Sequence, residues 1–161
     1  MYLLVCLFKR FWSIVFVAFA NYKIYRAIDT AQSYFNEEEV GNAIQKSGIP
    51  REEIFLTTKV WIEHYGYEEA KKSVLESMKK LKTDYLDLVL LHQPFSDAYG
   101  AYHALEDLYD EGKIRAIGAS NVTEDIIKGY CSLGQLDVIQ EKYSILDSHI
   151  RSELAQVCEG K

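Results

Sequence analysis

Five short runs of apolar residues recur along the chain, each followed by a stretch with the period of a helix. They fall at Tyr25–Ile28, Ile54–Thr58, Tyr85–Leu91, Ile114–Ala119 and Leu136–Ile139. Each is too short for a buried helix and is apolar on alternate and intervening positions alike, as strands covered on both faces are. Between them, Val40, Ala43 and Ile44 form one apolar stripe, with Asn36 and Glu39 as a candidate reciprocal cap and Gly48 and Pro50 as the stop. Ala70, Val74, Met78 and Leu81 form a second, and Ala101, Ala104, Leu105 and Leu108 a third that ends at Gly112. Thr123 is placed to cap a fourth helix and Ser148 to open a weaker fifth.

Strand and helix alternating at about thirty residues or less predict right-handed βαβ units on a parallel sheet. No Gly-x-Gly-x-x-Gly stands at a strand-to-helix turn, which argues against a dinucleotide-binding Rossmann sheet. The expected architecture is therefore α/β, a (β/α)8 TIM barrel. Such a barrel takes about 250 residues, whereas the chain has 161. An incomplete barrel of about five βα repeats is expected, with unpaired sheet edges prone to self-association.

Residues 1–20 differ from the rest. Two apolar stretches flank Lys9 and Arg10, and the basic pair argues against a spanning helix. Three readings stand: a signal peptide with Ala18-Phe19-Ala20 as cleavage site, a buried strand over Ile14–Ala20, or a non-native start. The domain expectation is an atypical segment over 1–20 and a partial barrel over 21–161. Cytoplasmic location is expected, with export as the alternative should residues 1–20 be a signal. With 18 basic against 24 acidic side chains the net charge is −6, and no basic stripe offers itself to nucleic acid. Cys6, Cys131 and Cys158 are too few and too widely spaced for a disulfide framework or a zinc site.

Polar residues collect where each strand ends. Asp29 closes YRAID, Lys59 closes IFLTTK, His92 closes YLDLVLLH, Ser120 and Asn121 close IRAIGASN, and Gln140 closes LDVIQ. One such residue is ordinarily a solvated loop residue. Five at equivalent places open on one face of a parallel barrel and converge on one pocket. Asp, Lys and His beside Tyr34 point to proton transfer. A phenol near pKa 10 is a poor acid at neutral pH, a neighbouring ammonium stabilises the phenolate, and a carboxylate holds the ammonium in place. A His within reach can orient a carbonyl oxygen. No serine or thiol nucleophile joins the set, and the histidines are too scattered for a metal site, so none is expected.

YRAIDTAQSYFNEEEVGNAI, IFLTTKVW, YLDLVLLHQPF and GKIRAIGASN resemble, in that order and spacing, the aldo-keto reductase family, in particular its diketogluconate reductase-like members. The likeness runs from about Tyr25 to Gln140. It implies NADPH-dependent reduction of aldehydes and ketones to alcohols on a (β/α)8 barrel. By motif, Tyr34 would be the general acid, Lys59 with Asp29 would lower its pKa, and His92 would position the substrate oxygen. Ser120, Asn121 and Gln140 would hold the nicotinamide carboxamide of NADP(H), and Trp61 would line the substrate pocket, a packed rim aromatic being its alternative. The family's first strand and helix are not matched before Tyr25. Its last two strands, with the ring-stacking aromatic and the 2′-phosphate grip, are expected to be missing after Gln140. DVIQEKYSILD also departs from the Asn-Gln-x-Glu-Tyr-His-Pro pattern of close relatives.

Two other functions are compatible with these residues. A non-enzymatic fragment or interaction module would keep the motifs without binding cofactor. A barrel aldolase would use Lys59 as a Schiff-base nucleophile, against which Asp29 would keep that lysine protonated. His64, His103 and His149 are expected as surface, loop or packing residues, Glu37–Glu39 as first-turn charges facing the helix dipole, and Lys71, Lys72, Lys79 and Lys80 as a solvated helix face.

Overall fold

The computed structural model describes residues 25–141, apart from Pro94 and Gln135, together with some side chains of the last helix. The N-terminal segment, the helix expected at Ser148, His149, and the cysteines at 6 and 158 lie outside the described residues. Five strands alternate with four helices: β1 Ala27–Asp29, α1 Glu37–Ser47, β2 Phe55–Val60, α2 Tyr67–Leu81, β3 Leu88–Leu91, α3 Ala98–Asp110, β4 Ile117–Ser120, α4 Glu124–Leu133 and β5 Val138–Gln140. All four pairings are parallel and the sheet order is β1-β2-β3-β4-β5. This is a five-stranded part of a (β/α)8 barrel, as the repeat predicts.

The strands are trimmed at their starts relative to the apolar runs. Tyr85–Asp87 is the clearest case: Leu86 makes a lone parallel bridge to Ile114, and β3 begins only at Leu88. Side chains organise the backbone there instead. Asp87 accepts from Arg51 Nη2 at 2.8 Å, from Leu56 N at 3.0 Å and from Arg115 Nη1 at 3.0 Å. Both guanidinium groups stack on the Tyr85 ring, 4.1 and 3.9 Å from its centroid. Cation–ring attraction and paired charge thus close the end of the sheet opposite the site.

Alternation divides the strand residues between two faces. Leu56, Val60, Val89, Leu91, Ile117 and Ala119 join the buried apolar cluster with Val40, Ile44, Val74, Leu81, Leu105 and Leu108 of the helices. The other face carries Asp29, Thr57, Lys59, Leu88, Leu90, Gly118, Ser120 and Gln140, following the register Asp29↔Thr57↔Leu88 and Lys59↔Leu90↔Gly118. Helix α2 packs between α1 and α3. Its approach to α1 depends on Gly41, where a Cβ would stand 2.5 Å from the Lys80 carbonyl oxygen and 2.8 Å from Leu81 Cα.

Two cap expectations differ in detail. Asn36 occupies the N-cap position of α1 but makes no side-chain cap bond; its Oδ1 accepts from Thr30 Oγ1 at 2.7 Å, tying the helix start to the end of β1. Thr123 stands at the N-cap of α4, again without a side-chain cap bond. Asp97 does cap α3, accepting from Gly100 N at 2.9 Å. Among the described residues no helix is long and apolar enough to cross a membrane.

Candidate active site

The strand-end residues converge. Lys59 and Asp29 are each 2% exposed and form a buried ion pair. The lysine also donates to the Thr30 carbonyl oxygen at 3.0 Å. Neighbouring strands bring them together: β1 and β2 are in register at Asp29↔Thr57, so Lys59 stands one inward position further on. A short 3-10 turn, Gln32–Tyr34, follows β1 and lays the Tyr34 ring against this pair, with Lys59 Nζ 5.1 Å from the ring centroid. His92, just past β3, meets Tyr34 edge-on at 5.8 Å between ring centroids and Trp61 edge-on at 5.1 Å.

The backbone of His92 is held from both sides. Its N–H donates to the Val60 carbonyl at 3.2 Å, and its own carbonyl accepts from Ser120 Oγ at 2.7 Å and from Asn121 Nδ2 at 3.1 Å. Asn121 has a positive φ of 55°, a conformation Asn tolerates better than most residues. The imidazole is half-buried, and its pKa is lowered from 6.5 to about 4, first by burial and then by the charge on Lys59. It is therefore neutral at neutral pH. Gln140 donates from Nε2 to the second carboxylate oxygen of Asp29 at 2.8 Å. Every residue singled out at the strand ends thus lies in one connected set, with Trp61 half-buried at its side.

The structure adds residues that the motifs did not single out. Gln32 is a bracket: Oε1 accepts from Trp61 N at 2.9 Å, while Nε2 donates to Ser73 and Ser77 Oγ at 3.1 Å each. Ser33 Oγ lies 3.3 Å from His92 Nδ1. Tyr65 both donates to the Gln93 carbonyl at 2.6 Å and accepts from Gln93 N at 3.2 Å, holding the loop behind His92. Burial pushes its phenol up to about 12. Glu37 to Glu39 stand in the first turn of α1 as expected, and Glu37 among them faces inward. It is 4% exposed and accepts from Thr58 Oγ1 at 2.7 Å and Ser77 Oγ at 3.2 Å. Burial raises its pKa, with those two hydrogen bonds opposing. Its place three residues before Val40 and seven before Ile44, on the apolar stripe, was the available signal. Of the remaining histidines, His64 is partly buried, and His103 is exposed and paired with Glu106 at 2.7 Å. Among the described residues no three His, Cys, Asp or Glu side chains cluster as metal ligands would.

A sequence model of the aldo/keto reductase family matches residues 15–161. The chain belongs to this family. The match extends on both sides of the Tyr25–Gln140 span over which the motifs are legible. Curated relatives of this aldo/keto reductase include a glyoxal reductase of Bacillus subtilis, 41% identical over 138 residues, which are 85% of this chain and 50% of that protein. A methylglyoxal reductase of Salmonella typhi is 48% identical over 103 residues, 62% of this chain and 39% of that one. The chain thus spans half the length, or less, of these relatives. Among solved structures, an aldo-keto reductase enzyme from a Medee basin deep-sea metagenome library superposes with TM-score 0.86 at 39% identity, over 94% of this chain and 57% of that one. A Bombyx mori aldo-keto reductase in complex with NADP superposes with TM-score 0.83 at 30% identity, over 91% of this chain and 52% of that one.

Proposed function

We propose that this chain carries the catalytic side of an NADP(H)-dependent carbonyl reductase, acting on small aldehydes and ketones, in a partial barrel that comprises residues 21–161. The observation that carries the reading is the buried Lys59–Asp29 pair set against the Tyr34 ring. Asp29 forms an ion pair with the Lys59 ammonium and holds it beside the Tyr34 ring. That charge favours the phenolate left when Tyr34 gives its proton to the substrate oxygen, which is what makes a phenol usable as an acid. His92, neutral because burial and Lys59 lower its pKa, donates a hydrogen bond to the same oxygen without competing as a proton source. Trp61, packed edge-on against His92, offers an apolar wall to the substrate. Lys59 Nζ is occupied by Asp29 and by the Thr30 carbonyl, which disfavours the aldolase alternative, since a Schiff-base lysine must present its nitrogen to a substrate carbon.

The residues beyond the acid fit a nicotinamide carboxamide. Such a group presents N–H donors and a carbonyl acceptor. Ser120 and Asn121 direct donors to the His92 carbonyl, Asn121 also approaches Ser120 Oγ, and Gln140 directs one N–H to Asp29; the amide oxygens of Asn121 and Gln140 can accept, and the second N–H of Gln140 can donate. The reduced cofactor, when bound there, supplies the hydride that reduces the carbonyl carbon. The chain supplies the other half of the reduction: Tyr34 gives the proton to the oxygen, and the carbonyl becomes an alcohol.

Titration of the chain with NADPH and NADH, read by tryptophan fluorescence, tests the reading, followed by turnover of glyoxal and methylglyoxal, the compounds in its relatives' names. Saturable quenching and turnover lost in Tyr34→Phe are expected. No saturation by either nucleotide would make the chain a non-enzymatic member of its family. Self-association through β1 and β5, the outer strands of the described sheet, is expected to appear as concentration-dependent mass in sedimentation; a monomer at all concentrations would count against it.

A further inference from the structure

His92 is constrained everywhere except in the choice of which ring nitrogen bears its proton. Its backbone is bonded on both sides, and Trp61 and Tyr34 meet its ring at interplanar angles of 71° and 83°. A neutral imidazole has one N–H and one acceptor nitrogen, and the partner of one nitrogen decides the role of the other. Ser33 Oγ stands 3.3 Å from Nδ1, and among the described residues Nε2 makes no hydrogen bond. Serine can donate or accept, so its direction sets the tautomer.

We propose that Ser33 is a positioning residue whose hydroxyl donates to His92 Nδ1, keeping the ring proton on Nε2 for donation to the substrate oxygen. The inference rests on the carbonyl-reductase reading, since only a substrate oxygen at Nε2 requires that tautomer. Three features support it. Nδ1 is the nitrogen already engaged by protein, so Nε2 is the one left for a ligand. The positive charge of Lys59, together with burial, disfavours a doubly protonated ring, so tautomer rather than charge is the variable. Ser33 also precedes Tyr34 within one 3-10 turn, so a single short segment presents the acid and orients its partner. The Gln32 side chain, bonded to Trp61 N, Ser73 and Ser77, pins that turn to α2 and keeps Ser33 in place.

Long-range proton–nitrogen correlation spectra of the uniformly ¹⁵N-labelled full chain at pH 7 report each histidine tautomer directly, with His92→Gln assigning the signals. The expected wild-type pattern is a protonated Nε2 and an unprotonated Nδ1. Ser33→Ala is expected to lose this single pattern and give averaged ring shifts, while Ser33→Thr, which keeps the hydroxyl, restores it. Should the alanine variant fail to fold, Ser33→Cys keeps the volume with a weaker donor and is expected to shift the same way. A wild-type ring protonated on Nδ1, or an Nε2-protonated pattern unchanged by loss of the hydroxyl, overturns the proposal. These spectra need no nucleotide, so a failure of NADPH to bind sinks the functional reading separately.

Discussion

Gln140 and Asp29, 111 residues apart, are joined by a 2.8 Å hydrogen bond from Nε2 to Oδ2 across the concave face of the sheet. They sit on β5 and β1, the two outermost strands in the order of the described sheet. A flat five-stranded sheet would separate its outer strands by about 19 Å, from the 4.7–4.9 Å strand spacing. The bond therefore measures how far the sheet has curled. Gln140→Leu is expected to orphan one oxygen of a buried carboxylate and to cost about 1–3 kcal/mol in urea unfolding.

Lys59 and Asp29 form the deepest charged pair in the molecule's described part. Lys59→Met leaves a buried carboxylate without its counter-charge and is expected to destabilise the chain by about 3–5 kcal/mol. The double variant Asp29→Asn/Lys59→Met is expected to regain most of that loss, because no charge then remains to be compensated. Equal or greater loss in the double variant, again by urea unfolding, would contradict a paired-charge account.

His92 and Glu37 give stability two opposing pH dependences. The folded pKa of His92, about 4 against an ordinary 6.5, means the unfolded chain takes up a proton that the folded one refuses. Its contribution is present above pH 6.5 and is lost as pH falls toward about 4. Glu37 is shifted the other way, above 4.5. Its contribution is complete below pH 4.5 and is lost as pH rises through the raised value. In a series of urea melts across pH, His92→Asn is expected to flatten the acid limb, and Glu37→Gln the limb above 4.5.

Gly41 sets the distance between α1 and α2. Any side chain there meets backbone rather than a flexible side chain, so the helices must separate. Gly41→Ala is expected to lower stability by about 1–3 kcal/mol despite alanine's better helix propensity. Thermal melting decides the sign; a stabilised variant would mean the helices separate without cost.

The barrel was legible because a covered parallel strand and an amphipathic helix have different periods, and five repeats of that contrast leave few architectures. Asp29, Lys59, His92, Ser120 and Gln140 were legible for a related reason: a polar residue abutting a buried run needs an explanation. What escaped were polar side chains facing inward from helices and turns. Glu37 sits among glutamates, and only its phase with Val40 and Ile44 separates it from Glu38, which is exposed. Gln32 and Ser33 act through partners tens of residues away, Ser77 and His92, and no local pattern encodes such a pairing. The Asn36 cap failed because Thr30 offers its Oδ1 a hydroxyl donor from the end of β1.

Each described strand pairs with the one that comes next in the chain, at separations that run from Gly118↔Val138 to Thr57↔Leu88, about 20 to 30 residues. Bringing such neighbours together closes only a modest loop. A protein emerging from the ribosome can then lay down strand upon strand in the order of synthesis, each new unit finding its template already made, and only the bond from Gln140 back to Asp29 has to wait for the late strand.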